Sequence, residues 1–346
     1  MNDFQKRLQI VSELIRYGPL YAIANDRIQS SAPLDAGKNW KFWTDEKPDW
    51  LVALMRAYPP KSRRKKCIAK SLESSHASGI EAHYDVSNDF YALFLDTQYR
   101  FYTCADFIGE QQTLEEAQSC KAEYLRKLLN LSGNEKILDL GCGWGSMLKY
   151  LRDKGHKGAL SGYTLSKEQF AYDRQTLDLD VSLANFITTP FKSLAYERIF
   201  SIGALEHVRP AELKALYQKI YDALVPQGLA VHQFFSFNRE DHPASAVLVQ
   251  LFFPGSNLST HQKHLEFAQD AGFHITHDSI HDYKPTIKAW YDRLVSRQKE
   301  ALNIVGLEVY NRYATFFPIA WLFFQQEEAA LHRVVMSKPA ESSATS

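Results

Sequence analysis

Residues 136–155, KILDLGCGWGSMLKYLRDKG, constrain the fold more than any other stretch, because an apolar run meets three glycines at alternate positions and then an amphipathic run ending at Gly155. A short apolar run closed by glycine predicts a buried strand, and the spacing that follows predicts a helix. The alternation continues downstream. GALSGYTL (158–165), RIFSIGAL (198–205) and LAVHQFFSF (229–237) have strand character, whereas KEQFAYDRQTL (167–177) and PAELKALYQKIYDALVPQG (210–228) have helical character. Upstream, TLEEAQSCKAEYLRKLLNL (113–131) predicts a helix opened by a capping box, with Glu116 three positions after Thr113. Strands alternating with helices predict an α/β fold with a doubly wound, mostly parallel sheet, whose ligands sit beyond the carboxyl ends of the strands.

The N-terminal part follows a different pattern. Phe4, Leu8, Val11 and Ile15 recur at helical spacing before Gly18 and Pro19, and PDWLVALMRAY (48–58) predicts a second helix, with SSAPLDAGKNW (30–40) as the loop between them. We therefore expect a small helical region over 1–75, a main domain over 76–340 and a flexible tail, ESSATS, over 341–346. Forty basic and forty acidic residues cancel, so no overall field favours nucleic acid. The basic run KSRRKK (61–66) is most simply a solvated linker; its sharper reading is peripheral contact with an anionic membrane through Lys61, Arg63, Arg64, Lys65 and Lys66. Cys67, Cys104, Cys120 and Cys142 form no CxxC pair, which argues against structural zinc or a disulfide framework and for a reduced, cytoplasmic setting. The charges interspersed through MNDFQKRLQIVSELIRYG fit neither a signal peptide nor a transmembrane span.

The glycines select the nucleotide. A dinucleotide fingerprint needs glycine where this chain has Ser146, and no acid ends the strand at SGYTLS to hold a ribose, so hydride transfer from NAD is disfavoured. The pattern D-x-G-x-G-x-G over Asp139, Gly141, Gly143 and Gly145 instead resembles the S-adenosylmethionine loop of class I methyltransferases, whose Rossmann-like sheet has seven strands.

HYDVSNDFYALFLD, YTCADF, LDLGCGWGS, GYTLSKEQ, SIGALEHV and FFPGSNLS, in that order, resemble motifs of the cyclopropane fatty acid synthase family, which includes the mycolic acid cyclopropane synthases. The resemblance runs from about His83 to Pro339. It implies methyl transfer from S-adenosylmethionine to the double bond of an unsaturated acyl chain in a lipid or phospholipid, closing a cyclopropane ring. Tyr102 and Thr103 match the family's cofactor-contacting pair, Asp139, Gly141, Gly143 and Gly145 its loop, and Thr164, Leu165 and Gln169 the positions holding ribose and methionine. NFITTPFKSL (185–194) lacks the family's adenine-contacting acid and Trp. The family also holds a bicarbonate ion as base, and the resemblance implies that Cys104, Glu206, His232, Tyr283 and the backbone of Phe234 bind it here. Glu206 beside an anion would need to share a proton or orient Cys104 or His232. No metal is implied.

An alkene is a weak nucleophile, so such a site must align the methyl, exclude water and stabilise a carbocation, a task suited to aromatic faces. The eight aromatic residues of 83–107 fit that role, although core packing explains most of them individually. Only 19 residues separate His232 from Phe252, fewer than in many family members, which implies an acyl pocket that is more open or is completed by N-terminal helices. Alternatives are alkene methylation without ring closure, N-methylation of a small amine and a non-catalytic lipid-binding module. The HDY element containing Tyr283 favours carbon chemistry over the amine. A homodimer is a further expectation.

Overall fold

Thr113 opens helix α3 (Leu114–Leu128) through a complete capping box: its hydroxyl accepts from the Glu116 N–H, and the Glu116 carboxylate accepts from the Thr113 N–H. Removing such a cap costs about 1 kcal/mol. The computed structural model describes residues 22–24, 27–29, 32–44, 87–238 and 259–340. Within them the strands are β1 (Ala22–Ala24), β2 (Arg27–Gln29), β3 (Ile137–Leu140), β4 (Leu160–Thr164), β5 (Asp180–Leu183), β6 (Tyr196–Ile202), β7 (Leu224–Phe237), β8 (His274–His281) and β9 (Ala329–Ser337). The helices besides α3 are α1 (Ala36–Thr44), α2 (Asn88–Ala92), α4 (Ser146–Asp153), α5 (Lys167–Thr176), α6 (Pro210–Ala223), α7 (His261–Asp270), α8 (Lys284–Ser296) and α9 (Gln298–Gln325).

The expected doubly wound sheet forms. Its seven strands run in the order β5-β4-β3-β6-β7-β9-β8. The five strands from β5 to β7 pair in parallel, while β9 pairs antiparallel with both β7 and β8. Chain progression reverses between β3 and β6, so the crevice beyond their carboxyl ends is the topological switch point where ligands of such sheets bind. This is the fold of class I methyltransferases.

Two apolar layers sandwich the sheet. One face packs Leu213, Leu216, Tyr217 and Ile220 of α6 against Ala230, Phe234, Val334 and Met336, while the other packs Leu125, Met147, Leu148 and Leu151 against Val231 and Val335. A third cluster joins α2 to α8 and α9, with Phe90, Tyr91, Phe94, Trp290, Tyr313 and Phe317 all buried. Most aromatic residues of 87–107 therefore serve as core, the bland reading of that segment, and only Phe101 and Tyr102 of them reach the cavities described below.

Three expectations need correction. Residues 36–40 are helical, because Asn39 donates to the Ala314 carbonyl and Trp40 packs on Tyr291 and Trp321, so tertiary contacts override the local loop signal. Residues 22–24 and 27–29 pair as antiparallel strands inside the region expected to be helical. Leu224 begins a strand, whereas the sequence pattern extends the preceding helix to 228; Pro226 cannot continue that helix. The helices expected at 3–17 and 48–58, the basic run 61–66, His83, the segment 239–258 and the tail 341–346 lie outside the described residues. Among the described residues, no helix is long and apolar enough to cross a membrane.

Candidate active site

Two adjoining cavities lie beyond the carboxyl ends of β3 and β6. Tyr102, Thr103, Gly203 and His207 line both and form their junction. A carboxylate builds the turn that delivers the first two: Asp96 accepts from the Tyr99 N–H at 2.7 Å and the Phe101 N–H at 2.6 Å, while Arg100 between them is held at φ 59°. Thr103 is then anchored by Lys121, whose Nζ donates to Oγ1 at 3.1 Å, and by Gln118, which donates to its carbonyl at 2.8 Å. Gly203 sits at φ 77°, and a Cβ there would come within 2.7 Å of the Thr103 methyl. The close approach of these two segments requires glycine.

The first cavity is lined by Asp139, Gly141, Gly143, Thr164, Leu165 and Gln169, together with Tyr102 and Thr103, so eight of the nine expected cofactor residues meet there. Gly145 is the exception. It has φ 65°, and a Cβ on it would lie 2.3 Å from Leu179 Cδ1 and 3.1 Å from Asp173 Oδ1, so this glycine serves packing behind the loop and not ligand contact. Gly143, at φ 60°, faces open space: a Cβ there would have Gln169 Nε2 as its nearest neighbour, at 4.0 Å. Thr164 donates to Gln169 Oε1 at 2.7 Å, which fixes that amide with its NH₂ towards the loop. Asn185, Phe186 and Ile187 also line the cavity, in the segment that lacks the family's adenine-contacting acid and Trp and for which no contact residues were assigned; they follow β5, which the sequence pattern does not reveal.

The residues fit a ligand that carries both cationic and carboxylate groups. Asp139 is 3% exposed, and its Oδ1 has no hydrogen-bond partner among the described residues. Burial, with Asp173 nearby, pushes its carboxyl well above the usual range, against the opposing pull of Lys121. A cation at this carboxylate would relieve that penalty, and the Gln169 amide can donate to a carboxylate beside it. Asp139 and the Gly143 opening thus suit the ammonium and methionine portions of S-adenosylmethionine.

The second cavity is apolar and aromatic, walled by Phe235 and Phe237 of β7, Trp290 of α8, and Phe316, Phe317, Phe323 and Phe324 of α9. Its acid is Glu206, on a 3-10 turn (Leu205–His207) that follows β6. Burial drives the Glu206 carboxyl up to about 8, opposed by its own backbone N–H, so it is mainly neutral at pH 7. Its Oε2 is buried without a hydrogen-bond partner among the described residues. Tyr283, at the start of α8, lines the same cavity and packs on Trp290 and Phe324.

The expected anion ligands do not all converge. Glu206 and Tyr283 share the cavity. Cys104 lies just behind its wall, fully buried, with its thiol directed at the Ala105 and Asp282 carbonyls at 3.4 and 3.5 Å. Burial pushes this thiol up to about 12 despite Arg333 nearby, so it is neutral and points at acceptors. His232 faces the other side of the sheet, against Tyr217 of α6, and burial lowers it to about 3. Phe234, expected to contribute only its backbone, pairs with His332 in the β7–β9 ladder, and its side chain shares the His232 face, stacked at 3.9 Å on His264. The correction follows from strand pleating, since successive side chains alternate faces and a one-residue shift moves a group to the opposite side. Gln233 is the polar residue of β7 that lines the cavity. Its Oε1 accepts from Arg333 Nε at 2.8 Å, and Arg333 makes a paired contact with Asp106 at 2.6 and 2.7 Å. Burial raises Asp106, but hydrogen bonds from His281 and Arg333 outweigh it and hold the carboxyl at about 2.

A sequence model described as mycolic acid cyclopropane synthetase matches residues 72–334. The chain belongs to the mycolic acid cyclopropane synthetase family. It is 29% identical over 293 residues to hydroxymycolate synthase MmaA4 of Mycobacterium tuberculosis, covering 79% of this chain and 97% of that one. It is 32% identical over 263 residues to cyclopropane mycolic acid synthase MmaA2 of the same organism, covering 70% and 90%. The solved structure of mycolic acid cyclopropane synthase CmaA1 complexed with SAH and CTAB superposes with a TM-score of 0.70 at 27% identity, covering 76% of this chain and 99% of that one. Coclaurine N-methyltransferase, at 17% identity and a TM-score of 0.68 over 88% of this chain and 96% of that one, shares the fold. As a member of this family the protein is an S-adenosylmethionine-dependent methyltransferase of lipid-modifying type.

Proposed function

We propose that this family member methylates the double bond of an unsaturated acyl chain, in a phospholipid, and closes the product to a cyclopropane. The observation that carries this is the junction at Tyr102, Thr103, Gly203 and His207 between a polar cofactor cavity and an aromatic, acyl-compatible one. Bound in the first cavity, S-adenosylmethionine supplies an electrophilic methyl group. Thr103 and Gly203 stand where the two cavities meet, so a chain held in the second cavity would reach the methyl there, while the surrounding apolar walls exclude water. As the carbon–sulfur bond breaks and the new carbon–carbon bond forms, positive charge develops on the acyl chain. The faces of Tyr102, Trp290 and Phe317 can stabilise it without offering a lone pair.

Ring closure then needs removal of one proton from the added methyl, so that its bonding pair can close the ring. Glu206 is the best-placed acceptor: buried, in the acyl cavity, and ionising near pH 8. An exogenous small anion such as bicarbonate would find Glu206, Tyr283 and Gln233 facing it there, a different set from the one the family resemblance implies. On a second reading the cation instead loses a proton from a neighbouring carbon of the chain to the same acceptor, so that a double bond remains beside the methyl branch and no ring closes. Both outcomes rise as Glu206 ionises towards pH 8, and the olefinic signal separates them. On either reading the enzyme works in the cytoplasm at the inner membrane face, with the basic run 61–66 as its contact.

The test is incubation with labelled cofactor and a mixed unsaturated phospholipid extract, between pH 6.5 and 9, followed by mass spectrometry and olefinic proton counting. A gain of one CH₂ with loss of the olefinic signal is expected, increasing with pH. Label appearing only in added small amines would overturn the lipid assignment.

A further inference from the structure

On the face of the sheet away from both cavities, three side chains from three elements come together. His261 is the first residue of α7, set by the Thr260 cap whose hydroxyl accepts from the Lys263 N–H. Asp278 lies on the edge strand β8 and His332 on β9, and the register pairs Asp278 with Val334 and Ile280 with His332, so Asp278 and His332 are diagonal neighbours on one face. His261 Nε2 stands 2.9 Å from Asp278 Oδ2. The His261 and His332 rings lie 3.9 Å apart and 10° from parallel. One potential ligand atom from each of the three residues lies within 4.8 Å of the other two. His332 is 6% exposed, and its Nδ1 is buried without a hydrogen-bond partner among the described residues. Unlike the unpaired nitrogens of His232, this one belongs to a ring that stands in a cluster of three potential metal ligands, where a bound ion would satisfy it.

We propose that His261, Asp278 and His332 form a binding site for one divalent transition-metal ion of the zinc class, tying the start of α7 to the outer strands β8 and β9. Two imidazoles and one carboxylate are a donor set that zinc and similar ions accept, with remaining positions filled by water. A cavity that His261 and His332 line together with Ser236 and Asn238 leaves room for that water. Donors at about 2.0–2.2 Å from an ion stand roughly 3–3.5 Å from one another, so the cluster closes around a metal by about an ångström. Parallel rings cannot both aim in-plane lone pairs at one ion, so one must turn. His261 is the ring that can, since it is partly exposed at the cavity, whereas His332 is buried between β7 and β8. The absence of CxxC pairs excludes a thiolate site but has no bearing on an imidazole–carboxylate one. The competing account is a metal-free ion pair between His261 and Asp278.

The experiment uses the full chain with any affinity tag removed, stripped by chelator and dialysed. Cobalt(II) is titrated and followed by its visible absorption, and zinc(II) by calorimetry, for the parent, Asp278→Asn and His261→Gln. One saturable equivalent is expected for the parent, together with a zinc-dependent rise in Tm, and both are expected to disappear in the two variants. Both substituted side chains are partly exposed, and metal-free melts of the variants that match the parent show that they fold. Methyl transfer by the chelated parent should be unchanged, because the cluster and the cavities lie on opposite faces. No saturable equivalent in the parent, or equal binding by the variants through other histidines such as His277 and His281, overturns the site.

Discussion

Adjacent residues of β7 look into opposite environments. On the cavity face, Gln233 is clamped by Arg333, which Asp106 holds in turn, and the acid Glu206 has an oxygen without a hydrogen-bond partner among the described residues. On the other face, both ring nitrogens of His232 lack hydrogen-bond partners among the described residues, and burial keeps the ring neutral. Each face buries polar side chains, so burial and residue type alone do not mark the reactive side. What distinguishes them is that one set is connected and aimed at a cavity, while His232 is enclosed by core between the sheet and α6.

The severest challenge to this contrast is to remove the clamp. Arg333 is fully buried, and Arg333→Met would leave the Asp106 carboxylate with His281 as its remaining basic partner while freeing the Gln233 amide. Loss of about 3 kcal/mol in urea unfolding is expected, as for breaking a buried ion pair from one side. A loss within experimental error would show that water solvates Asp106 and that the network is not a clamp.

Glu206→Gln comes next. It should lower turnover roughly 10²-fold, as expected for loss of a general base, while calorimetric affinity for S-adenosylhomocysteine holds. Its pH signature is separate. The folded carboxyl at about 8 lies above its unfolded value near 4.5, so the unfolded chain loses its proton first and the parent loses stability as pH rises between those values. The variant lacks this loss. Its advantage over the parent should grow by up to roughly 1.4 kcal/mol per pH unit within that window and level off above pH 8. A difference that stays flat from pH 5 to 9 would mean that Glu206 is solvated or paired.

The smallest effects discriminate best between the two faces. His232→Leu exchanges an unpaired buried imidazole for an apolar group of similar size and should change stability by less than about 1 kcal/mol, in either direction, with turnover unchanged. Gln233→Leu, one position along, should lower turnover about tenfold, in keeping with loss of a net hydrogen bond of about 1–1.5 kcal/mol to the reacting centre. Equal turnover in the two variants would remove any special role for the cavity face.

Much of the methyltransferase is legible before folding. The strand–glycine–helix order places β3, β4, β6 and their helices, because hydrophobic period and capping are local properties, and Thr113 with Glu116 acts as its spacing predicts. β5 escapes such a reading: Asp180–Leu183 is short and mostly exposed, and so carries no alternating pattern to detect. α1 escapes it for a different reason, since it rests on Asn39, Trp40 and their partners more than 250 positions away. Within the site, eight of the nine positions expected to hold cofactor line one cavity, since most of them stand at or just beyond the carboxyl ends of β3 and β4 and at the start of α5.

Local patterns in the chain thus mark β3, β4, β6 and the glycine loop, and the order of its motifs marks the family. It is packing that turns Gln233 and not His232 to the cavity, because strand alternation converts a single step of register into a change of face. Packing likewise sets Gly145 against Leu179, draws the acyl-compatible wall from α9, and brings His261, Asp278 and His332 together. These are contacts between segments tens to hundreds of residues apart, and pairings of that kind are set by how the layers stack and not by any local spacing.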